Sequence, residues 1–410
     1  MNTYGCIGKT LTHSFSKEIH EQLADYTYQL IELSEEELPS FFAKKEFAAI
    51  NVTIPYKQTV IPYLDAVSPI ARRIGAVNTI VNRDGRLYGD NTDYDGMRAL
   101  IRKVGLDLCG KKVLILGTGG TAKTARAVAT DLGAAAVLTV SRTASEGHIT
   151  YPQAALHTDT AVLINTTPCG MYPDTEGKPI DIACFPRLEG VIDAVYNPLR
   201  TNLVLDAQAK GIPAEGGLYM LVMQAVAAVE KFLGITIGED TARGVFHTVR
   251  AAKENVVLTG MPGSGKSTVS QALADGCTRI DTDAEVEARC GCTIKELITN
   301  HGEMYFRDLE AAVIRDAATQ TGCVIATGGG AILRAENVRH LKRNGRLFFL
   351  DAPLNRLQAT VDRPLSDTDE KLAALYARRM DLYRATADVT VPALATPTAE
   401  ADYIIAKRME

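Results

Sequence analysis

Two glycine-rich segments carry residues spaced for phosphate chemistry. Gly260-Met-Pro-Gly263-Ser264-Gly265-Lys266-Ser267 fits GxxxxGK[ST], between the apolar run NVVLTG and a helix-forming stretch that continues through Thr268. Glycines there let the backbone curl so that successive N–H groups point at a β-phosphate, and the start of the next helix adds its positive dipole end. Lys266 has the reach of the β- and γ-phosphates, and the Ser267 hydroxyl is a magnesium ligand. This half of the chain is expected to bind a nucleoside triphosphate. The following strand ends in RIDTDAEVE, presenting Asp281 and Asp283 near the loop, where one carboxylate can hold a magnesium shell and the other can accept a hydroxyl proton.

The other segment, Gly117-Thr-Gly119-Gly120-Thr121-Ala122, is a GxGxxA turn between the strand KKVLILG and a helix starting near Thr121. In that context it is a dinucleotide-binding candidate. The next strand ends in Ser141-Arg142-Thr143, where an NAD enzyme often places an acid for the ribose hydroxyls. Arg142 and its hydroxyl neighbours suit a 2′-phosphate, so NADP is favoured, while Glu146 argues mildly for NAD. Lys57, after TIP, and Asp93, in GDNTD, form a charged pair able to pass a proton to a developing alkoxide. Without their flanking motifs they would read as a surface lysine and a turn aspartate.

The elements that must position these residues are legible as alternation. YGCIG, AAINVTI, VNTIVN, KVLILG, AAVLTVS, AVLINTT, GVIDAVY, NVVLTG, GCVIATGGG and GRLFFLD read as strands, with helical stretches such as Lys123–Leu132 and Leu218–Leu233 between them. Most of the strands are too apolar to be half exposed, which predicts α/β architecture with largely parallel, buried sheets. A chain of 410 residues is too long for one ordinary core. The seam is placed near Lys253, in RGVFHTVRAAKENVVLTG, where a fresh strand begins at Asn255.

The chain is 46% hydrophobic and 23% charged, with a net charge of −5 and no Trp. That balance argues against nucleic acid or an anionic membrane as partner, and no apolar run reaches the roughly 18–20 residues of a membrane span. MNTYGCIGKTLTHSFSKEIH has polar residues where a signal peptide needs apolar ones. Eight scattered cysteines contain no CxxC pair. They are read as reduced thiols of a cytoplasmic protein rather than as a disulfide framework or zinc site.

GEMYFRDLE, ATGGGAIL, DRPLS and LYRATAD, taken with the P-loop and DTD, resemble shikimate kinase across nearly all of 255–410. The resemblance implies that Asp283 binds shikimate hydroxyls and helps deprotonate one, and that Arg307 and Arg384 clamp the substrate carboxylate. Gly329 and Gly330 would bring backbone amides to the substrate. Arg363 would sit on a mobile lid, bind ATP and neutralise charge on the transferred phosphoryl, and Asp281 would hold magnesium through water. The stretch before Arg363 is shorter than usual in that family, and Ala359 and Thr360 stand where a nucleotide-stacking Arg is frequent.

THSFSKEIH, NVTIPYK, GAVNTIV, GDNTDYDG, NTTPCGMYP, DAVYNPLRTNL and GGLYMLVMQA resemble shikimate dehydrogenase over about 1–250. The resemblance implies a substrate domain at 1–100, an NADP-binding Rossmann domain at 101–217, and a helix at 218–247 packing back on the first. A P-loop kinase domain of the nucleoside monophosphate kinase type would follow at 254–410. Lys57 would be the proton donor or relay with Asp93 as its partner. Ser14 and Ser16 would bind the substrate carboxylate, and Thr53, Asn78 and Gln224 the ring hydroxyls, with Tyr196 nearby. Thr10 and Lys17 replace prolines frequent in the family, and His13 and His20 are given no catalytic role.

The expectation is a bifunctional enzyme. NADPH would reduce 3-dehydroshikimate to shikimate, and Mg-ATP would phosphorylate the new hydroxyl. Two alternatives remain open at this level: quinate or NAD preference in the first half, and a non-catalytic nucleotide-binding module in the second.

Overall fold

The computed structural model describes residues 3–11, 15–274, 276–358 and 367–408. The chain divides into two compact units, Met1–Val249 and Arg250–Glu410. The helix Glu239–Lys253 runs through the stretch where the sequence placed a seam, and the strand Asn255–Thr259 follows it directly. Among the described residues no helix is long and apolar enough to cross a membrane, and the eight cysteines are free thiols.

The first unit holds two six-stranded sheets among its described residues. In one, Tyr4–Gly8 lies between Tyr28–Glu32 and Ala49–Val52, parallel to both. Two further pairings of this sheet are antiparallel. Thr79–Arg83 is antiparallel to Ala49–Val52 and to Arg86–Asp90. The reversal is a tight hairpin through Asp84 and Gly85, with φ values of 52° and 80°. Asp-Gly between alternating apolar residues favours that turn because both positions tolerate positive φ. The second sheet is parallel throughout and centres on Lys112–Leu116, flanked by Val162–Asn165 and Ala136–Ser141. Its inner strands are buried along their length, as strands covered on both faces must be.

The helix Leu218–Leu233, apolar on nearly every side, buries Leu218, Val222 and Val226 against Ile19 and Leu23. Farther along it, Ala228 and Phe232 pack beside Cys6 and Tyr28 of the first sheet. It therefore returns from the dinucleotide segment to the N-terminal one.

The second unit is built on one parallel five-stranded sheet among the described residues. Asn255–Thr259 is central, between Val324–Ala326 and Gly345–Asp351. Arg279–Asp281 and Val389–Pro392 form its edges. Val256, Leu258, Val269, Phe348 and Leu350 fill one face of the core, and Val257, Ile314, Ile325 and Leu347 the other.

Candidate active sites

In the first unit, polar side chains gather where the helices Asp93–Lys103 and Leu218–Leu233 cross. Gly96 sits at the crossing. A Cβ there would stand 2.5 Å from the Met220 carbonyl oxygen and 3.0 Å from the Gln224 Cβ. The close approach brings Gln224 beside Asp93, the first residue of its helix, where the dipole favours a carboxylate. Lys57 Nζ lies 2.5 Å from Asp93 Oδ2, with side chains 19% and 10% exposed. The pair is largely shielded from water yet not closed off, which strengthens its electrostatics and leaves the ammonium reachable.

Asn78 Nδ2 donates to Asp93 Oδ1 at 3.0 Å and approaches Gln224 Oε1 at 3.4 Å. Gln224 in turn donates to the Leu221 carbonyl at 3.0 Å. Thr53 follows the strand Ala49–Val52 and anchors its N–H on the Ile7 carbonyl at 3.0 Å. Ser16 starts the helix Ser16–Leu23. Tyr196 packs edge-on against Phe15, with ring centres 5.2 Å apart, and burial pushes its hydroxyl pKa up. Ser14 lies outside the described residues.

The dinucleotide loop leaves the central strand where the sheet order reverses, with Ala136–Ser141 on one side and Val162–Asn165 on the other. Ligands of open α/β sheets bind at such a switch point. Gly117 has φ of 107°, and a Cβ there would stand 2.8 Å from Thr166 Oγ1. Nothing lies within 4 Å of where Gly119 or Gly120 would carry a side chain, so a pyrophosphate has room at their N–H groups. The helix Gly120–Asp131 starts inside the loop, next to the expected start at Thr121. Thr121 is half-buried, and Ala122 is buried, which fits the small third position that lets helix and strand pack closely. At the neighbouring strand end the Thr143 N–H donates to Ser141 Oγ at 3.3 Å, and Arg142 and Glu146 are exposed.

In the second unit, the P-loop follows the central strand. Gly265 takes φ of 88° and caps the helix Lys266–Leu273, a conformation that leaves successive N–H groups facing one side. Lys266 Nζ donates to the Gly260 and Met261 carbonyls at 2.9 and 3.0 Å. Ser267 Oγ stands 3.1 Å from Asp281 Oδ2, while Asp281 Oδ1 accepts from the N–H groups of Asp283 and Ala284. Two hard oxygens side by side at the loop are a donor pair of the kind that suits magnesium.

A cavity of about 590 Å³ runs from Gly263, Lys266, Ser267 and Thr268 past Asp281 and Asp283 to Arg307, Gly329 and Gly330. Ser264, in the same loop, is buried. Arg307 is 8% exposed and donates to Glu310 Oε2 at 2.7 Å and to Glu303 Oε1 at 3.1 Å. Burial lowers its pKa, but the two carboxylates outweigh burial and the net shift is upward. Glu310 is fully buried, and its pKa is raised by burial against the pull of Arg307. A side chain at Gly330 would run into the Arg307 guanidinium.

Two family models match this chain: the shikimate dehydrogenase substrate binding domain, over 6–80, and shikimate kinase, over 262–409. The shikimate dehydrogenase (NADP(+)) of Clostridium perfringens (strain SM101 / Type A) is 33% identical over 268 residues, covering 61% of this chain and 99% of the relative. The chain belongs to the shikimate dehydrogenase family. A solved chorismate mutase/shikimate 5-dehydrogenase fusion from Clostridium acetobutylicum superposes with a TM-score of 0.57 at 33% identity. The match covers 61% of this chain and 97% of that one. The Thermus thermophilus shikimate 5-dehydrogenase, solved with NADP(H) and shikimate, gives 0.56 at 28% identity and covers 60% and 99%. The shikimate dehydrogenase unit thus carries a shikimate kinase segment behind it.

Lys57, Asn78, Asp93 and Gln224 of the shikimate dehydrogenase unit meet in one network, although Asn78 and Gln224 are 146 positions apart. In the kinase segment Lys266, Ser267, Asp281, Asp283, Arg307, Gly329 and Gly330 line one cavity. Arg384 does not join them. Its side chain is 53% exposed and lies 3.7 Å from Asp351 and 3.9 Å from Asp381. Arg379 lines the cavity instead, 5% exposed, donating to the Gly329 carbonyl at 3.1 Å. The two arginines share the helix Asp369–Thr386, but five residues rotate a helix by roughly 140°, so they face different ways. The sequence signal for Arg379 was its i,i+4 spacing to Tyr383, whose hydroxyl reaches the Gly260 and Gly329 carbonyls. Glu303 and Glu310, which orient Arg307, were also missed. Arg363, Ala359 and Thr360 lie outside the described residues.

Proposed function

We propose that this chain reduces 3-dehydroshikimate to shikimate with NADPH and then phosphorylates shikimate at the hydroxyl just made, using Mg-ATP. The observation that carries the reading is the coexistence of two separate constellations on one chain. One is the shielded Lys57–Asp93 pair with Asn78 and Gln224. The other is the P-loop cavity with Asp283 and two buried arginines.

The Gly117–Ala122 loop would hold NADPH, with Ser141, Arg142 and Thr143 suited to its 2′-phosphate, and the bound cofactor would supply the hydride. Lys57 holds the proton that passes to the carbonyl oxygen as it becomes an alcohol, and Asp93 orients the ammonium and favours its return to the charged form. Asn78, Gln224 and Thr53 bind ring hydroxyls, Ser14 and Ser16 the carboxylate, and Tyr196 closes the side of the site.

ATP with magnesium supplies the phosphoryl group at the second site. Gly263–Thr268 and Lys266 hold its phosphates, and Arg363 neutralises charge on the transferred phosphoryl group. Asp283 accepts the proton of the attacking hydroxyl. Arg307 and Arg379, with planar forks suited to a carboxylate, hold the acid group, so Arg379 takes the role first given to Arg384. The 1–100, 101–217 and 254–410 division into substrate, dinucleotide and kinase domains goes with this reading, as does a cytoplasmic setting for the free thiols.

The test is one reaction of the purified full chain with 3-dehydroshikimate, NADPH and Mg-ATP, followed by mass spectrometry. Shikimate 3-phosphate should appear, and should be missing when either nucleotide is left out. Shikimate accumulating without phosphate would sink the kinase half, and unchanged 3-dehydroshikimate would sink the first step.

A further inference from the structure

Behind Asn78, on the side away from Lys57, three buried side chains continue the hydrogen-bond network without reaching the reactive pair. Tyr28 and Thr79 are 0% exposed and Asn51 is 7% exposed. Asn51 Nδ2 lies 3.1 Å from the Asn78 carbonyl and 3.2 Å from Thr79 Oγ1. Asn51 Oδ1 lies 2.7 Å from the Tyr28 hydroxyl, and Thr79 Oγ1 lies 3.0 Å from Asn78 Oδ1.

Two backbone groups give this chain of bonds a direction. A peptide carbonyl can only accept, so the Asn51 atom facing the Asn78 carbonyl must be its NH₂. Its oxygen then faces Tyr28, whose hydroxyl must donate. At the other end, the Thr92 N–H can only donate, and it stands 2.7 Å from Asn78 Oδ1. Asn78 therefore turns its NH₂ toward Asp93. Thr79, receiving a proton from Asn51, gives its own to Asn78 Oδ1 when the Thr92 hydroxyl, also 3.0 Å away, donates to Thr79 or turns elsewhere. The order Tyr28 to Asn51 to Thr79 to Asn78 to Asp93 is consistent throughout, with each hydroxyl and amide used in one sense.

We propose that Thr79 and Asn51, seated by Tyr28, are positioning residues that fix the polarity of the Asn78 amide so that it donates to the catalytic carboxylate. An amide with both faces polar can flip. A flip here would set its oxygen against Asp93 and its NH₂ against the Thr92 N–H. In a buried site each such mismatch is costly, because no water replaces the lost partner. The stack of His20 on Tyr28, 4.0 Å between ring centres, holds the first donor in place.

The inference rests on the ketone-reduction reading, and the full chain provides its own control. Shikimate oxidation by NADP⁺ is measured for the parent, Thr79→Val, Thr79→Ser and Tyr28→Phe, with phosphoryl transfer followed on the same preparations. Loss of a hydrogen bond to a charged network predicts about a 10- to 100-fold fall in kcat for Thr79→Val. KM for NADP⁺ and phosphoryl transfer should stay at parent values, Thr79→Ser should recover most of the lost kcat, and Tyr28→Phe should show a smaller fall. Unchanged kcat in Thr79→Val, a serine variant as slow as valine, or a parallel rise in KM for NADP⁺ overturns the inference. If Thr79→Val does not fold, Tyr28→Phe with parent kcat overturns it. An inactive parent overturns this inference and the proposed reduction together, whereas an active parent with indifferent variants overturns this inference alone.

Discussion

The two units solve the same task, holding a hydroxylated ring acid against a nucleotide, with different electrostatics. In the dehydrogenase unit one ion pair, Lys57–Asp93, is surrounded by uncharged partners, Asn78, Thr92 and Gln224. In the kinase segment charges predominate. Lys266, Asp281, Asp283, Arg307, Glu310 and Arg379 line one cavity, and several of them already lean on each other or on the loop carbonyls. The difference follows from the chemistry. Moving a hydride and a proton changes charge little and needs a fixed geometry, whereas phosphoryl transfer gathers several negative charges that must be neutralised.

The sharpest way to break this comparison is to remove one lysine from each unit. Lys266→Ala should lower phosphoryl transfer by roughly 10²–10⁴-fold and leave shikimate oxidation intact, while Lys57→Ala should do the reverse. The two assays on one preparation read this directly, and a variant that lowers both rates alike would contradict two self-sufficient sites.

Next in size is the arginine pair on one helix. Arg379→Ala should raise KM for shikimate in the kinase reaction by about 10- to 100-fold, through loss of a charge-assisted hydrogen bond. Arg384→Ala should leave that KM unchanged within about twofold, as an exposed ion pair does. Equal effects would restore Arg384 to the carboxylate site.

A smaller effect tests the packing beneath the uncharged network. Gly96→Ala forces the crossing helices apart, at a cost of about 1–3 kcal/mol in the thermal stability of the dehydrogenase unit. KM for shikimate should rise in oxidation and stay constant in phosphorylation. Parent behaviour in both would mean that the crossing does not set the Gln224 position.

The gentlest test concerns a buried acid that the chemistry does not use. Asp193 accepts from Asn165, Val195 and Thr201, yet burial, only partly offset by these bonds, pushes its pKa up to about 6. The folded state therefore keeps its proton at a pH where the unfolded chain, with a carboxyl pKa of about 3.9, has lost it. The slope of stability with pH follows the difference in bound protons, so this group's contribution is full below about pH 4 and fades as pH rises through about 6. Subtracting the stability–pH curve of Asp193→Asn from the parent's should isolate a change of about 3 kcal/mol across that window. A flat difference curve would mean that Asp193 is not held in this way.

The same contrast explains what was readable beforehand. The P-loop, the GxGxxA turn and DTD are local motifs, because neighbouring residues along the chain cradle one phosphate group. Arg384 was chosen over Arg379 because LYR is contiguous in sequence while a helix face is not. The spacing of Arg379 to Tyr383 held the signal, but only the direction of the helix toward Gly329 made it matter. The Asp84-Gly85 hairpin was also legible, and it accounts for an antiparallel pairing within largely parallel sheets.

By itself the sequence determined the α/β class, both glycine-rich loops and the lysines proposed to react, since each depends on residue type and short-range spacing. Tertiary structure alone decided which distant side chains share a site. Asn78 meets Gln224 because Gly96 lets two helices touch, and Arg307 is oriented by the buried Glu310 of its own helix, which counts only once the cavity closes around it. Backbone preference is settled among neighbours, whereas burial, polarity and the aim of a hydrogen bond are settled by whatever the fold brings into contact.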